Sequence, residues 1–130
     1  MSTKPGAPLD GHDFKSRGGL GRLLSATGYS LDGLLAALKG EAAFRQLACL
    51  SLVLIPAAFI APVTRVERAV MVGVVLIALI VELLNSAIEA AIDRISYDLH
   101  PLSKRAKDMG SAAQFVALVL VTLVWAVILL

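Results

Sequence analysis

Between Arg45 and Arg65 the chain runs for nineteen residues without a charge, about the length one helical crossing of a bilayer requires. No other feature restricts the fold so tightly, because a backbone in hydrocarbon has to satisfy its own hydrogen bonds and a helix does so within one segment. Two further runs follow. One starts after Arg68 and stays apolar to Val81, thirteen residues, and reaches crossing length only by continuing through Glu82 and Glu89 to about Ile92. The other, Met109 to Leu130, carries no charge at all. Three membrane spans are therefore expected, at about 45–64, 69–92 and 109–130, in an all-α integral membrane protein. The whole chain agrees: it is 58% hydrophobic and 17% charged, with mean hydropathy +0.81, above what a water-soluble domain of 130 residues tolerates. Three spans enclose little volume, so a deep site is expected between subunits of a homo-oligomer.

The segment before the first span reads differently. Residues 1–19, with Pro5, Pro8 and charges of both signs, predict a disordered polar tail with no apolar signal-peptide core, so the first span is expected to direct insertion. Leu20, Leu23 and Leu24 begin an apolar spacing. After Ser30, a plausible N-cap, Leu31, Leu34, Leu35 and Leu38 form an amphipathic stripe. Interrupted by Gly28, Gly33 and Gly40, this stretch is too short to span and predicts a surface helix at about 20–40. Pro56 and Pro62 are candidates to kink or end the first span.

Six Lys and Arg precede the first span, two lie between spans one and two, and four lie between spans two and three. That bias predicts a cytoplasmic N-terminus and second loop, with the first loop and C-terminus outside. A net charge of +2, without basic runs carrying interleaved aromatics, argues against nucleic acid. The single Cys49 supports neither a disulfide framework nor a cysteine metal site. No phosphate-binding loop of the G-x-x-x-x-G-K-[ST] type occurs.

The chemistry concentrates in the second span. Glu82, Asn85, Ser86, Glu89 and Asp93 fall within about a 100° sector of one helix. A carboxylate at membrane depth costs roughly 2.5–3.5 kcal/mol on insertion scales. A stripe that only joined helices could use Asn and Ser at lower cost, so the carboxylates point to a site near the cytoplasmic interface. Glu82 lies about 10 Å deeper along the axis than Glu89. The deeper, drier carboxylate suits proton abstraction, and the outer one suits a divalent cation arriving from water. Glu41, just before the first span, is expected at a depth similar to Glu89. Asp98, His100, Lys104, Arg105, Lys107 and Asp108 form a charged loop cluster of the kind that could meet an anionic, metal-bearing substrate such as MgATP. Loop charges also serve topology and solvation, and a lone histidine such as His100 is more often solvated than a ligand.

Three stretches, Glu41-Ala42-Ala43-Phe44-Arg45-Gln46, Val81-Glu82-Leu83-Leu84-Asn85-Ser86-Ala87-Ile88-Glu89-Ala90 and Ala106-Lys107-Asp108-Met109-Gly110-Ser111-Ala112-Ala113, together resemble the prokaryotic membrane-integral diacylglycerol kinase family. The resemblance covers roughly residues 20 to 130. It implies a homotrimer in the bacterial inner membrane, each subunit with a surface helix and three spans, transferring the γ-phosphate of MgATP to a lipid hydroxyl in sites shared between subunits. By the same resemblance Glu82 is the general base, and Glu41 and Glu89 bind the Mg2+ that ATP carries. Arg22, Tyr29, Asp98, His100, Lys107 and Asp108 contact the nucleotide. Arg22, Ala26, Ala43, Arg45, Gln46, Ser111 and Trp125 meet the lipid, and Asn85 and Ser86 support the site. The chain departs from the family pattern at Leu47, where an acidic residue is expected, and at Leu31-Asp32, where an aromatic and a basic residue are expected. Ala42-Ala43 and Met109-Gly110-Ser111 resemble the diacylglycerol branch, while His100-Pro101-Leu102 leans toward the branch that phosphorylates undecaprenol. A small proton-coupled transporter would also want membrane carboxylates but would have no use for the Lys107-Asp108 cluster, and a non-catalytic assembly subunit would leave the acidic face unexplained.

Overall fold

The computed structural model describes residues 18–130, so most of the expected tail, residues 1–17, lies outside the described residues. The described chain forms four helices: α1 (Gly19–Gly40), α2 (Ala42–Ile60), α3 (Arg65–Ile95) and α4 (Pro101–Leu129). α2, α3 and α4 are each long and apolar enough to cross a membrane. The chain divides into two compact units, Met1–Leu35 and Ala36–Leu130.

The first unit holds most of α1. Where the sequence predicts a fresh helix start at Ser30, the structure has one uninterrupted helix. The Ser30 hydroxyl, instead of capping, donates back to the Ala26 carbonyl at 2.9 Å, and Thr27 does the same to Leu23 at 3.0 Å. Inside a helix, hydroxyl side chains find the carbonyl one turn earlier, and a cap is then unnecessary.

In the second unit α3 packs against both α2 and α4. The core is thin. Leu47 of α2, Ala78 of α3 and Ala117 of α4 share one buried cluster, with Leu79, Val81 and Val121 packed against it. Two of the three are alanines, and small side chains let helices approach closely where apolar burial supplies no drive. Leu47, the departure from the family pattern, thus belongs to the apolar core. Met71 and Val75 are fully buried. Most other large apolar side chains are exposed, Leu52 at 76% and Ile60 at 85% among them, as lipid-facing side chains would be.

Helix ends decide the spans. α2 begins at Ala42, earlier than the expected 45, and closes at Ile60. Pro56 is accommodated inside α2, and the residues around Pro62 lie outside it. α3 starts at Arg65 because Thr64 and Glu67 form a capping box: Glu67 N–H donates to Thr64 Oγ1 at 3.2 Å, and Thr64 N–H donates to Glu67 Oε2 at 2.9 Å. α4 starts at Pro101, eight residues before the expected span. Proline at the first helical position lacks only a donor that would be unpaired there, and the Leu102 N–H donates to His100 Nδ1 at 3.1 Å. The expected second loop therefore contracts to residues 96–100, and Lys104, Arg105, Lys107 and Asp108 are helical.

Two arginines tie the connections. Arg68 Nε donates to the Ala58 carbonyl at 3.0 Å, and its Nη2 donates to Ala61 at 3.1 Å and Val63 at 3.4 Å. Arg45 Nη1 donates to both Leu38 and Lys39 carbonyls at 3.0 Å. In each case a guanidinium satisfies carbonyls that the end of a helix leaves unpaired, and its charge suits the negative end of the helix dipole. We expect Thr64→Ala to cost about 1 kcal/mol and Arg68→Met about 2 kcal/mol of stability, as single cap and charged hydrogen-bond losses do. Equilibrium unfolding in mixed micelles measures both, and an Arg68→Met protein as stable as the parent would deny the guanidinium its anchoring role.

Candidate active site

The polar stripe predicted on the second span is present on α3 and runs along the C-terminal half of the helix. Met71, Val75 and Ala78 start the stripe as buried apolar residues. Glu82 continues it and is 5% exposed, one of two buried polar residues among those described. The other, Ser51 on α2, is satisfied by its own helix, its hydroxyl donating to the Leu47 carbonyl at 2.7 Å. Among the described residues no side chain hydrogen-bonds to Glu82. A buried carboxylate in that position is costly unless a substrate, a water or another subunit completes it.

One turn along, Asn85 meets α4 where α4 is narrowest. A methyl group built on Gly110 would overlap the Asn85 amide oxygen. Glycine at 110 thus makes room for a polar side chain between two helices, and the buried Asn85 Oδ1 has no partner among the described residues.

Further along α3, Glu89 and Asp93 line an open hollow of about 610 Å³ together with Glu41, Ala90, Arg94 and Tyr97. Glu41 arrives there as the residue preceding α2: its N–H donates to the Ala37 carbonyl at 2.9 Å, and its own carbonyl accepts from Arg45 at 3.1 Å. Its extended backbone (φ −117°, ψ 106°) marks the elbow that Arg45 clamps from the other side. Asp93 Oδ1 accepts a 2.7 Å hydrogen bond from Lys107 Nζ, which brings the first turns of α4 against the last turns of α3.

The donor set of this hollow fits a hard divalent cation. Carboxylate oxygens are the ligands magnesium prefers, and Glu41 and Glu89 face one space. Among the described residues no group of three His, Cys, Asp or Glu side chains is gathered to hold a metal by itself. Two carboxylates suit an ion that keeps other oxygen ligands from waters or phosphates, as magnesium bound to a nucleotide does.

Other expected site residues are distributed unevenly. Lys107 and Asp108 part company: Lys107 turns to Asp93 on α3, whereas Asp108 Oδ2 accepts from Lys104 Nζ at 2.6 Å and lines a separate hollow with Arg105 and Met109. Asp98 and His100 are exposed in the short α3–α4 connection, His100 acting as the N-cap of α4. Ala43, Arg45 and Gln46 lie exposed on the first turn of α2, and Arg45 is engaged with the end of α1. Ser86 follows Asn85 on α3, and Ser111 is exposed on α4. Trp125 stands apart: its indole N–H donates to the Met71 carbonyl at 3.1 Å. Met71 is eleven residues before Glu82, or about 16 Å along the axis. Arg22, Ala26 and Tyr29 belong to the α1 part of the first unit.

Residues 28–129 match the prokaryotic diacylglycerol kinase family. The chain belongs to that family. It is 68% identical over 117 residues to the diacylglycerol kinase of Pseudomonas aeruginosa, covering 90% of this chain and 95% of that one. Identity to the diacylglycerol kinase of Haemophilus influenzae is 48% over 111 residues, 85% of this chain and 94% of the relative. To that of Escherichia coli K12 it is 44% over 111 residues, 85% and 91% of the two chains. The family match takes in α2, α3 and α4, the helices that carry the buried Glu82, the Glu41–Glu89 hollow and the Gly110–Asn85 contact.

Sequence reasoning did not foresee the Lys107–Asp93 pair, because both residues were assigned to different surroundings, a loop and a span. Their opposite charges were the available signal, but pairing them needs the α4 start at Pro101. Replacing Gly110 by alanine is expected to force the Asn85 amide to turn away or α4 to move off it. A loss of roughly 1–3 kcal/mol of stability follows from such overpacking. Gly110→Ala should unfold earlier in a micellar denaturation series, and an unchanged midpoint would show that the helices yield without cost.

Proposed function

We propose that this chain is an ATP-dependent lipid kinase that transfers the γ-phosphate of MgATP to the hydroxyl of diacylglycerol, giving phosphatidic acid at the cytoplasmic face of the bacterial inner membrane. The observation that carries the reading is one helix face with a buried, unpaired carboxylate at Glu82 and, two turns along, a carboxylate-lined hollow at Glu89. Membership of the family and the names of the relatives support the choice of lipid. α2, α3 and α4 cross the membrane in this reading, α1 lies on its surface, and the domain runs from residue 20 to 130. The Lys and Arg bias puts the N-terminus and the 96–100 connection in the cytoplasm and the C-terminus outside.

Glu82 acts as the general base. It takes the proton of the lipid hydroxyl as that oxygen attacks the γ-phosphorus and the bond to the β-phosphate oxygen of departing ADP breaks. A hydroxyl is a weak nucleophile, and a base within hydrogen-bond reach contributes typically about 10²–10⁴-fold. The low-dielectric surroundings keep water from competing for the phosphoryl group. Glu41 and Glu89 hold the Mg2+ of the nucleotide, which supplies charge neutralisation on the phosphates when bound. Lys107, one turn of α4 below the Gly110 contact, adds a positive charge near them, released from Asp93 as the anionic nucleotide arrives. Arg22, Tyr29, Asp98, His100 and Asp108 contact the nucleotide, while Arg22, Ala26, Ala43, Arg45, Gln46, Ser111 and Trp125 border the lipid. Asn85 and Ser86 support Glu82.

A homotrimer with sites shared between subunits suits the separation of Lys107 from Asp108, whose side chains serve different sides of α4. Sharing would let each contribute to a nucleotide, one within its own chain and one across an interface. It also suits a bundle of three spans whose apolar side chains are mostly uncovered.

Transfer of labelled γ-phosphate in mixed micelles, to diacylglycerol and undecaprenol side by side, tests the reading. We expect label in phosphatidic acid, and a loss of at least about a hundredfold in Glu82→Gln at unchanged assembly size. Label chiefly in undecaprenyl phosphate would replace the substrate and keep the mechanism. Near-normal turnover by Glu82→Gln would dismiss the base assignment.

A further inference from the structure

Beside Asn85, one other buried side-chain oxygen lacks a partner among the described residues: Oε1 of Gln114. Nothing in the motifs that resemble the family includes this glutamine, and it sits in the otherwise apolar part of α4. Its place follows from helix geometry. Gly110, Gln114, Ala117 and Val121 recur at spacings of four, three and four, which keeps them on one face of α4. Gly110 meets Asn85, and Ala117 shares the buried cluster with Ala78. On α3 the matching face reads Ala78, Glu82, Asn85. Between two contacts that fix an antiparallel register, Gln114 stands opposite Val81, one residue's rise from the level of Glu82.

We propose that Gln114 is a positioning residue for the Glu82 carboxyl group, an inference that rests on the reading of Glu82 as general base. An amide suits the task because it offers both a donor and an acceptor, and a carboxyl group changes from acceptor to donor when it takes a proton. The two side chains make no hydrogen bond in the structure; with the lipid bound, Gln114 Nε2 turns to donate to the Glu82 carboxylate. During transfer the lipid O–H bond breaks, its proton goes to Glu82, the lipid oxygen bonds the γ-phosphorus, and ADP departs. The new Glu82 O–H then donates to Gln114 Oε1, the oxygen that is buried and unpaired, until the proton is lost to water. An apolar side chain of similar length would fill the same space and pair with neither form.

The test uses the full chain in mixed micelles with Gln114→Met, which keeps length and removes the amide, and with Gln114→Leu as a second variant in case one folds poorly. Infrared spectra assign the Glu82 carboxyl band as the one missing in Glu82→Gln. We expect that band to move in both Gln114 variants. We expect kcat to fall about tenfold, the effect of losing one hydrogen bond of a charged group, with both KM values within about twofold of the parent. A purely structural role would change the unfolding midpoint without moving the band. An unmoved band overturns the contact, and a moved band with unchanged kcat overturns the positioning role. Full activity in Glu82→Gln would remove the base reading instead, and the band would still decide whether the two side chains meet.

Discussion

At Gly110 the backbone of α4 comes close enough to α3 that a single methyl group would collide with the Asn85 amide. Much of the second unit depends on that approach. It sets the register in which Ala117 lies over Ala78, Lys107 reaches Asp93, and the Trp125 indole reaches the Met71 carbonyl. These contacts fall at both ends and the middle of α3, so the two helices are aligned over most of their length. In hydrocarbon, where apolar side chains gain little by leaving lipid, close packing through small residues and a few hydrogen bonds holds helices together. Asn85 in the polar stripe on α3 fits that packing because its neighbour on α4 is a glycine.

The two arginine anchors act at the ends of the same assembly. Arg68 closes the carbonyl end of α2 over the start of α3, and Arg45 closes the end of α1 over the start of α2. The second matters for the site because Glu41 lies inside the clamped elbow. A carboxylate on an untethered connection would be one of many conformers. Held between two helix ends, it is delivered to the hollow that Glu89 and Asp93 line. Arg45, which the family resemblance puts near the lipid, thereby has a structural duty toward the metal-binding carboxylates of our proposal.

The fold was legible in the sequence wherever hydropathy alone decides. Charge-free runs marked α2 and α4, and the i, i+3, i+4, i+7 arithmetic put Glu82, Asn85, Glu89 and Asp93 on one face before any partner helix was known. Boundaries were less legible. Hydropathy ends a span at the first charge, whereas the helix ends where its caps are, so α4 begins at Pro101 and α3 at Arg65. Ser30 misled because a hydroxyl that can cap a helix can equally return to a carbonyl of the preceding turn. Leu47 departed from the family pattern for a reason that appears only in three dimensions: it fills the layer where three helices meet.

The sequence by itself determined the class of protein, the number of apolar helices and which helix face bears the carboxylates, because those follow from composition and a fixed helical period. Only the tertiary structure decided which of those residues share a space. It joined Glu41 to Glu89, paired Lys107 with Asp93 and turned Asp108 away to Lys104. It also buried the Gln114 amide oxygen without a partner among the described residues. The physical reason is that one helix fixes the direction of its side chains, but their neighbours come from the crossing and register of two, and here Gly110 against Asn85 and the alanines of the shared cluster lie at that contact.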